Sequence, residues 1–179
     1  MSEALNKLTK VSRFVGSVTT VLMVALTVAM IVAVVAIIAV ALNPDIVNSV
    51  IEYAGNTINI DDIDTTAAAA ILLATVLVLM PLMIAIMYFV RRMFNNIHEN
   101  NTPFTDDNAK CLVNIALLTV ACTIAAPILD YALQTVIDTA SYQAYSFSAF
   151  PLLVALLLYF LSLVFKYGAE LQKESNETL

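Results

Sequence analysis

Charged side chains are scarce in this sequence, and four long stretches contain none. Asp, Glu, Lys and Arg together make up 12% of the residues, whereas an ordinary soluble domain carries about 25%. The charge-free stretches are Phe14–Pro44, Thr65–Val90, Cys111–Leu129 and Thr139–Phe165. Each can supply roughly the 20 apolar residues that a helix needs to cross a bilayer core about 30 Å thick. This pattern excludes an ordinary soluble domain and predicts four membrane spans.

The same stretches indicate which kind of span to expect. Backbone groups inside a bilayer have no water to bond to, so only helices and closed barrels cross it. The strands of a barrel would alternate polar and apolar residues, and these stretches do not alternate. We therefore predict an all-α membrane protein, built as a four-transmembrane-helix bundle.

Residues that commonly carry chemistry are also few. The chain has one histidine, two cysteines and three glycines, and these residues have neither the spacing of a zinc cluster nor the pattern of a glycine-rich phosphate loop. The histidine, His98, is expected to be solvated in a loop. Asp61, Asp62 and Asp64 lack the Gly and the terminal Glu of a calcium loop, so we interpret them as a solvated acidic lip. We predict no catalytic residue, no metal, no cofactor and no enzymatic activity.

The basic residues are confined to three segments. They precede the first stretch, lie between the second and third, and follow the fourth: Lys7, Lys10, Arg13, Arg91, Arg92, Lys110, Lys166 and Lys173. An even number of spans places these segments on one side, and the positive-inside rule makes that side cytoplasmic, together with both termini. That side holds eight basic and seven acidic groups, a balance that argues against direct binding to nucleic acid.

We predict one membrane domain over residues 1–179. The predicted spans are about 15–42, 66–90, 111–134 and 149–167, with outer loops at 43–65 and 135–148, a cytoplasmic loop at 91–110 and a cytoplasmic tail at 168–179. The first span has the basic start of a signal peptide, but its apolar stretch exceeds the usual 7–15 residues or so. We therefore expect it to be retained.

Polar residues inside the predicted spans are mild, which argues against ion-coupled transport. Threonine hydroxyls can bond to the backbone of their own helix. Asn114 is the exception, because its amide can either bond a neighbouring helix or line a pore. On the outer side Tyr131, Tyr142 and Tyr145 are typical of interface anchors, and they can also line an outward-facing pocket. We take Asn114 and these three tyrosines as candidate ligand-binding residues.

Small residues recur along the first span at Ala25, Ala29, Ala33 and Ala36. Such a stripe lets another helix approach closely. The approaching helix can belong to the same bundle or to a second copy of the chain, so a homodimer is one of two interpretations.

The start of the third span carries a clear local signal. Thr105 is a good N-cap, and Asp106 and Asp107 then fall in the first turn, where the helix dipole favours negative charge. Pro103 keeps Thr102 out of helical geometry and so fixes the turn. After the fourth span the sequence retains good helix propensity apart from Gly168, so we expect that helix to continue beyond the membrane.

Two cytoplasmic segments are the most distinctive part of the sequence. They are Asn96-Ile97 through Thr102-Pro103-Phe104-Thr105 with Asn108, and Phe165-Lys166-Tyr167-Gly168-Ala169-Glu170-Leu171-Gln172 through Thr178-Leu179. With the span order and loop placement, they resemble a bacterial family of four-span membrane proteins catalogued as a domain of unknown function. The resemblance covers nearly the whole chain and implies the bacterial cytoplasmic (inner) membrane. Members are often encoded beside a Cro/CI-type helix-turn-helix regulator, which implies such a regulator as partner.

These observations lead to a regulatory hypothesis. The cytoplasmic loop and tail would form a docking surface that holds the regulator at the membrane, while a hydrophobic or cationic ligand biases the bundle between two packings. The candidate docking residues are Arg91, Arg92, Phe94, Pro103, Phe104, Tyr167, Glu170 and Leu171. The alternative role for these residues is to fix the turn and seat the tail against the bundle. The alternative function for the chain is a small transporter or channel component.

Overall fold

The structure, a computed structural model, describes residues 3–43, 65–136 and 148–177. These residues form four helices and no strand: α1 (Glu3–Leu42), α2 (Thr65–Asn100), α3 (Asp106–Val136) and α4 (Phe150–Glu177). All four are long and apolar enough to cross a membrane. The predicted fold class, an all-α membrane protein with four long apolar helices, is confirmed. The acidic run at 61–64 lies outside the described residues, as do Tyr142 and Tyr145.

The helices extend well beyond their charge-free stretches. Helix α1 has 40 residues and is therefore about 60 Å long, roughly twice the thickness of a bilayer core. Helix α2 continues to Asn100 and α3 begins at Asp106, so most of the segment predicted as a loop at 91–110 is helical. The reason is local, because no Gly or Pro interrupts the sequence between Arg91 and Asn101.

The connection between α2 and α3 is short, and local features of the sequence determine where α2 ends and α3 begins. Asn101 has a φ of 53°, the left-handed conformation that commonly ends a helix and that Asn tolerates better than most residues. Pro103 follows two residues later and prevents the helix from resuming. The Thr105 Oγ1 atom accepts a hydrogen bond from the Asn108 backbone N–H at 3.2 Å, which confirms Thr105 as the N-cap of α3.

Hydroxyl groups within the apolar helices bond to their own backbone, as predicted. Thr75 donates to the carbonyl of Ile71, and Thr119 donates to that of Ile115, both at 2.8 Å. Thr123 donates in turn to the carbonyl of Thr119. These residues therefore satisfy their polar groups without help from a neighbouring helix.

The chain divides into two compact units. The first comprises Met1–Leu26, Leu82–Thr123 and Ser148–Leu179, and the second comprises Thr27–Pro81 and Ile124–Phe147. The start of α3 forms the centre of the first unit, where Asn108, Cys111 and Leu112 are at most 2% exposed. In the second unit the described buried residues are Ala68, Ala69 and Leu133.

Helix α1 joins the first unit through small residues. Ser12 and Thr19 are 1% and 6% exposed, and Gly16 lies between them on the same face at helical spacing. The Ser12 hydroxyl donates to the Leu8 carbonyl. This buried face of α1 is therefore polar, but its hydroxyl groups bond to the backbone of their own helix. Many large apolar side chains on the rest of α1 are exposed in the chain alone, as expected for a surface that meets lipid.

Candidate functional site

The end of the first unit that carries the basic residues contains a set of contacts between separate segments. We call this set the cap and define it as the contacts between residues 9–16, 95–108 and 165–172. It joins the start of α1, the end of α2, the connection to α3 and the end of α4.

Two hydrogen bonds tie α1 to the end of α2. The Thr9 hydroxyl donates to Asn101 Oδ1 at 3.2 Å, and the Arg13 guanidinium lies 3.1 Å from His98 Nε2. A guanidinium can only donate, so Nε2 of His98 must be the acceptor. In its neutral form His98 therefore carries its proton on Nδ1.

His98 is thus not the solvated loop residue that the sequence suggested. It is half-buried on α2, and its Nδ1 atom is buried with no hydrogen-bond partner among the described residues. The expectation was wrong because α2 continues to Asn100 and α1 packs alongside its end. The side chain is held between two helices and acts as a positioning element of the cap.

A second close approach lies one turn further along α1. A Cβ atom on Gly16 would lie 2.9 Å from Asn95 Oδ1. The absence of a side chain at this position lets α2 present Asn95 directly to the α1 backbone. Asn95 Oδ1 is the end of a flexible, exposed side chain and can move aside for a Cβ atom, so this close approach does not by itself fix the separation of the two helices.

The connection between α2 and α3 is fastened to α4. Gln172 Nε2 donates to Thr102 Oγ1 at 3.0 Å. The rings of Phe104 and Phe165 meet edge to face, with centroids 5.5 Å apart and planes at 72°, an arrangement that aromatic pairs favour. Phe104 also lies against the backbone of Gly168, where a Cβ atom would be 2.6 Å from its ring. The ring thus occupies a notch that only glycine leaves open.

Asn108, in the first turn of α3, bonds to the connection between α2 and α3. Its side chain is fully buried, its Nδ2 donates to the Pro103 carbonyl at 2.9 Å, and its Oδ1 has no partner among the described residues. Since the Asn108 backbone N–H also donates to the N-cap oxygen of Thr105, one residue of α3 contributes to both the turn and the start of the helix.

The candidate docking residues of the tail lie on a face turned away from these contacts. Tyr167 and Leu171 are 63% and 48% exposed, and Glu170 is exposed as well. At about 100° per residue, these three lie roughly opposite the face that contacts Phe104 and Thr102. The tail therefore has one fastened face and one open face.

The candidate residues from the other segment are less accessible. Arg92 is exposed, whereas Arg91, Phe94 and Pro103 are half-buried. Phe104 is half-buried. It contacts Phe165 and Gly168, which agrees with the alternative role of holding the tail against the bundle. Docking through any of these residues remains a prediction.

Of the four candidate ligand-binding residues, the structure describes Asn114 and Tyr131. Asn114 lines an open groove of about 320 Å³ between α3 and α4. Tyr131 is 68% exposed and lies about 25 Å further along α3. Tyr142 and Tyr145 lie outside the described residues.

The contribution of α1 is what sequence reasoning missed. Arg13 was read only as a topology signal, and Gly16 was not singled out at all. The signal that points to Gly16 is the spacing of small residues at Ser12, Gly16 and Thr19, which marks one face of a helix for close approach. The homodimer interpretation of the alanine stripe remains a prediction; Ala25, Ala29 and Ala36 are exposed in the single chain.

Compared with known proteins, the chain matches no family model, no curated protein and no solved structure.

Proposed function

We propose that this chain is a multi-pass protein of the bacterial cytoplasmic membrane that binds a cytoplasmic helix-turn-helix regulator at the cap and the tail. The observation that carries the proposal is the open face of α4, formed by Tyr167, Glu170 and Leu171. These residues follow the last charge-free stretch and belong to the same helix, which continues to Glu177. Tyr167 lies beside the membrane surface and Leu171 one helical turn beyond it, and an exposed Tyr and an exposed Leu in that position are suited to a protein partner.

The cap supports the proposal because it restrains the docking face before a partner arrives. Phe104 and Gln172 fasten the opposite side of the tail, so a partner does not have to order this segment on binding. A preformed surface loses less conformational entropy in a complex than a flexible one. The resemblance noted above supplies the class of partner.

The proposed response to a ligand concerns the other end of the helices. A hydrophobic or cationic ligand arriving from the membrane or the outer face would shift the protein between two packings only if it bound one of them more tightly. Exposed Tyr131 is the described residue on which this part of the proposal rests.

The test is co-purification of the full chain with the regulator encoded beside it, in mild detergent and with membrane extract added. Replacing Tyr167 and Leu171 by Ala is expected to weaken binding at least about ten-fold, as for central aromatic contacts of other interfaces. Lys173→Ala is the matched control, because Lys173 lies on the same tail and makes only an exposed ion pair with Glu177. No association under either condition, or equal binding by all variants, would refute the proposal.

The transporter alternative is favoured by one observation, the open groove beside Asn114. It requires a water path through the span, so an Asn114→Cys variant should react with a water-soluble thiol reagent from both sides of the membrane. The regulatory proposal expects no reaction from the outer side.

A further inference from the structure

The groove between α3 and α4 is lined by both charged and apolar side chains. Among its lining residues are Asp106, Lys110, Asn114, Tyr159, Ser162 and Lys166. All of them belong to the first unit. Its volume of about 320 Å³ is within the range of small-molecule sites, roughly 300–1,000 Å³.

The two lysines mark the level at which the groove meets the membrane surface. Lys110 immediately precedes the charge-free stretch Cys111–Leu129, and Lys166 immediately follows Thr139–Phe165. Both ammonium groups therefore lie where the polar headgroups of the bilayer begin. Asn114 is one helical turn, about 6 Å, further into the membrane.

Three polar side chains of the groove, Lys110, Asn114 and Lys166, have no bonding partner among the residues that the structure describes. Neither Lys110 nor Lys166 forms an ion pair or a hydrogen bond with another residue that the structure describes, and the same holds for the Asn114 amide in that part of the chain. The Ser162 hydroxyl is already bonded to the Tyr159 carbonyl at 2.6 Å. Asn114 is half-buried and lines the open groove, so its amide is accessible to a ligand there, and at that depth in a bilayer an amide without any hydrogen bond is costly.

We infer that the groove binds the headgroup of an anionic membrane phospholipid that carries hydroxyl groups, as in phosphatidylglycerol. The phosphate lies between Lys110 and Lys166, and the Asn114 amide donates to an ester carbonyl of the lipid. The headgroup hydroxyls donate to the Asp106 carboxylate, which would otherwise repel an anion. An acyl chain continues along the apolar lining that includes Val113 and Leu163.

Charge complementarity selects this occupant over the other amphiphiles of a membrane. A choline headgroup would add a third cation beside two lysines. A basic pocket between membrane helices at a bilayer surface is also a recurrent form of anionic-lipid site. The depth of Asn114 favours a lipid over a free phosphate, which has no ester carbonyl to offer it.

The test uses the absence of tryptophan from the chain. Leu163→Trp places a single fluorophore in the groove, and Leu161→Trp places one about 3 Å away along α4 but on another face. Each variant is reconstituted in phosphatidylcholine nanodiscs with increasing fractions of brominated phosphatidylglycerol, which quenches nearby tryptophan. Leu163→Trp should be quenched at a low lipid fraction and reach saturation, whereas quenching of Leu161→Trp should only follow the bulk fraction.

In the Leu163→Trp background, Lys110→Gln and Lys166→Gln should each raise the half-saturating lipid fraction about five-fold, the factor for one lysine beside an anionic headgroup. Asn114→Leu should also raise it, and Lys173→Gln should not. Equal effects of all three lysines would mean general electrostatic attraction and would overturn the inference. Displacement of the brominated lipid by millimolar glycerol phosphate would equally overturn it in favour of a soluble phosphate.

Discussion

A Cβ atom placed on Gly168 would lie 2.6 Å from Cδ1 of Phe104 and 2.8 Å from its Cγ. Real side-chain atoms do not approach this closely. The ring has little freedom to withdraw, because its other contact is the edge-to-face pair with Phe165. Gly168 therefore permits the connection between α2 and α3 to seat the tail.

Replacing Gly168 by Ala should destabilise the protein. Overpacking costs about 1–3 kcal/mol, and the gain from replacing Gly by Ala in a helix, about 0.5–1 kcal/mol, offsets only part of it. We expect a midpoint of thermal unfolding several degrees lower, measured by circular dichroism in one detergent. Gly16→Ala is the control, because the atom it would meet is the end of the flexible, exposed Asn95 side chain.

A second variant separates the clash from other effects of Gly168→Ala. Adding Phe104→Leu should recover part of the lost stability, since the smaller side chain can vacate the notch. If Phe104→Leu is instead fully additive with Gly168→Ala, the two residues are not in contact and the prediction fails.

Asn108→Asp should be far more damaging than its small change in shape suggests. It replaces the amide that donates to the Pro103 carbonyl at 2.9 Å by a carboxylate oxygen, and it buries a charge without a partner. Such a change costs about 3–5 kcal/mol, against a helix-dipole benefit of about 0.3–1 kcal/mol. Asn108→Ala should lower the free energy of unfolding by less than Asn108→Asp does. An Asn108→Asp variant as stable as the parent protein would show that this side chain is solvated.

The tautomer of His98 can be read directly, because the chain has one histidine. Nitrogen-15 NMR of histidine-labelled protein should show neutral His98 protonated on Nδ1, with Nε2 accepting from Arg13. Arg13→Leu removes the donor and should shift the tautomer population. An unchanged spectrum would mean that the contact between Arg13 and His98 is absent in the membrane.

The topology predicts which helix ends share a side. Alkaline phosphatase fused after Asn43 or Ser148 should be active, and fusions after Asn101 or Glu177 should be inactive, because the enzyme works only outside the cytoplasm. Fluorescent-protein fusions at the same positions should give the reverse pattern. Opposite results at Asn101 and Glu177 would remove the proposed docking surface.

The helices and their local signals could be predicted from the sequence for simple reasons. Charge-free stretches reveal apolar spans directly, and the Thr105 N-cap depends on residues only three positions apart. The continuation of α2 to Asn100 was harder to predict, because polar residues with moderate helix propensity follow Arg92 and only the left-handed Asn101 ends the helix.

The cap and the groove depend on the relative rotation of different helices, which no local pattern records. Lys110 and Lys166 are 56 positions apart in the sequence and were read as two independent topology charges. Their convergence on Asn114 appears only when α3 and α4 are packed. Likewise, the pairing of Arg13 with His98 requires α1 to lie beside the far end of α2.

The hydrogen bonds of the cap have a mechanical consequence. Thr9, Arg13 and Gln172 bond across separate segments at that end, whereas Thr75, Thr119 and Thr123 bond only to their own helices. Polar bonds between segments are therefore concentrated at the cap, whereas these three threonines contribute no bond between helices. A protein bound at Tyr167 would therefore act on α4 at the end where separate segments are bonded together.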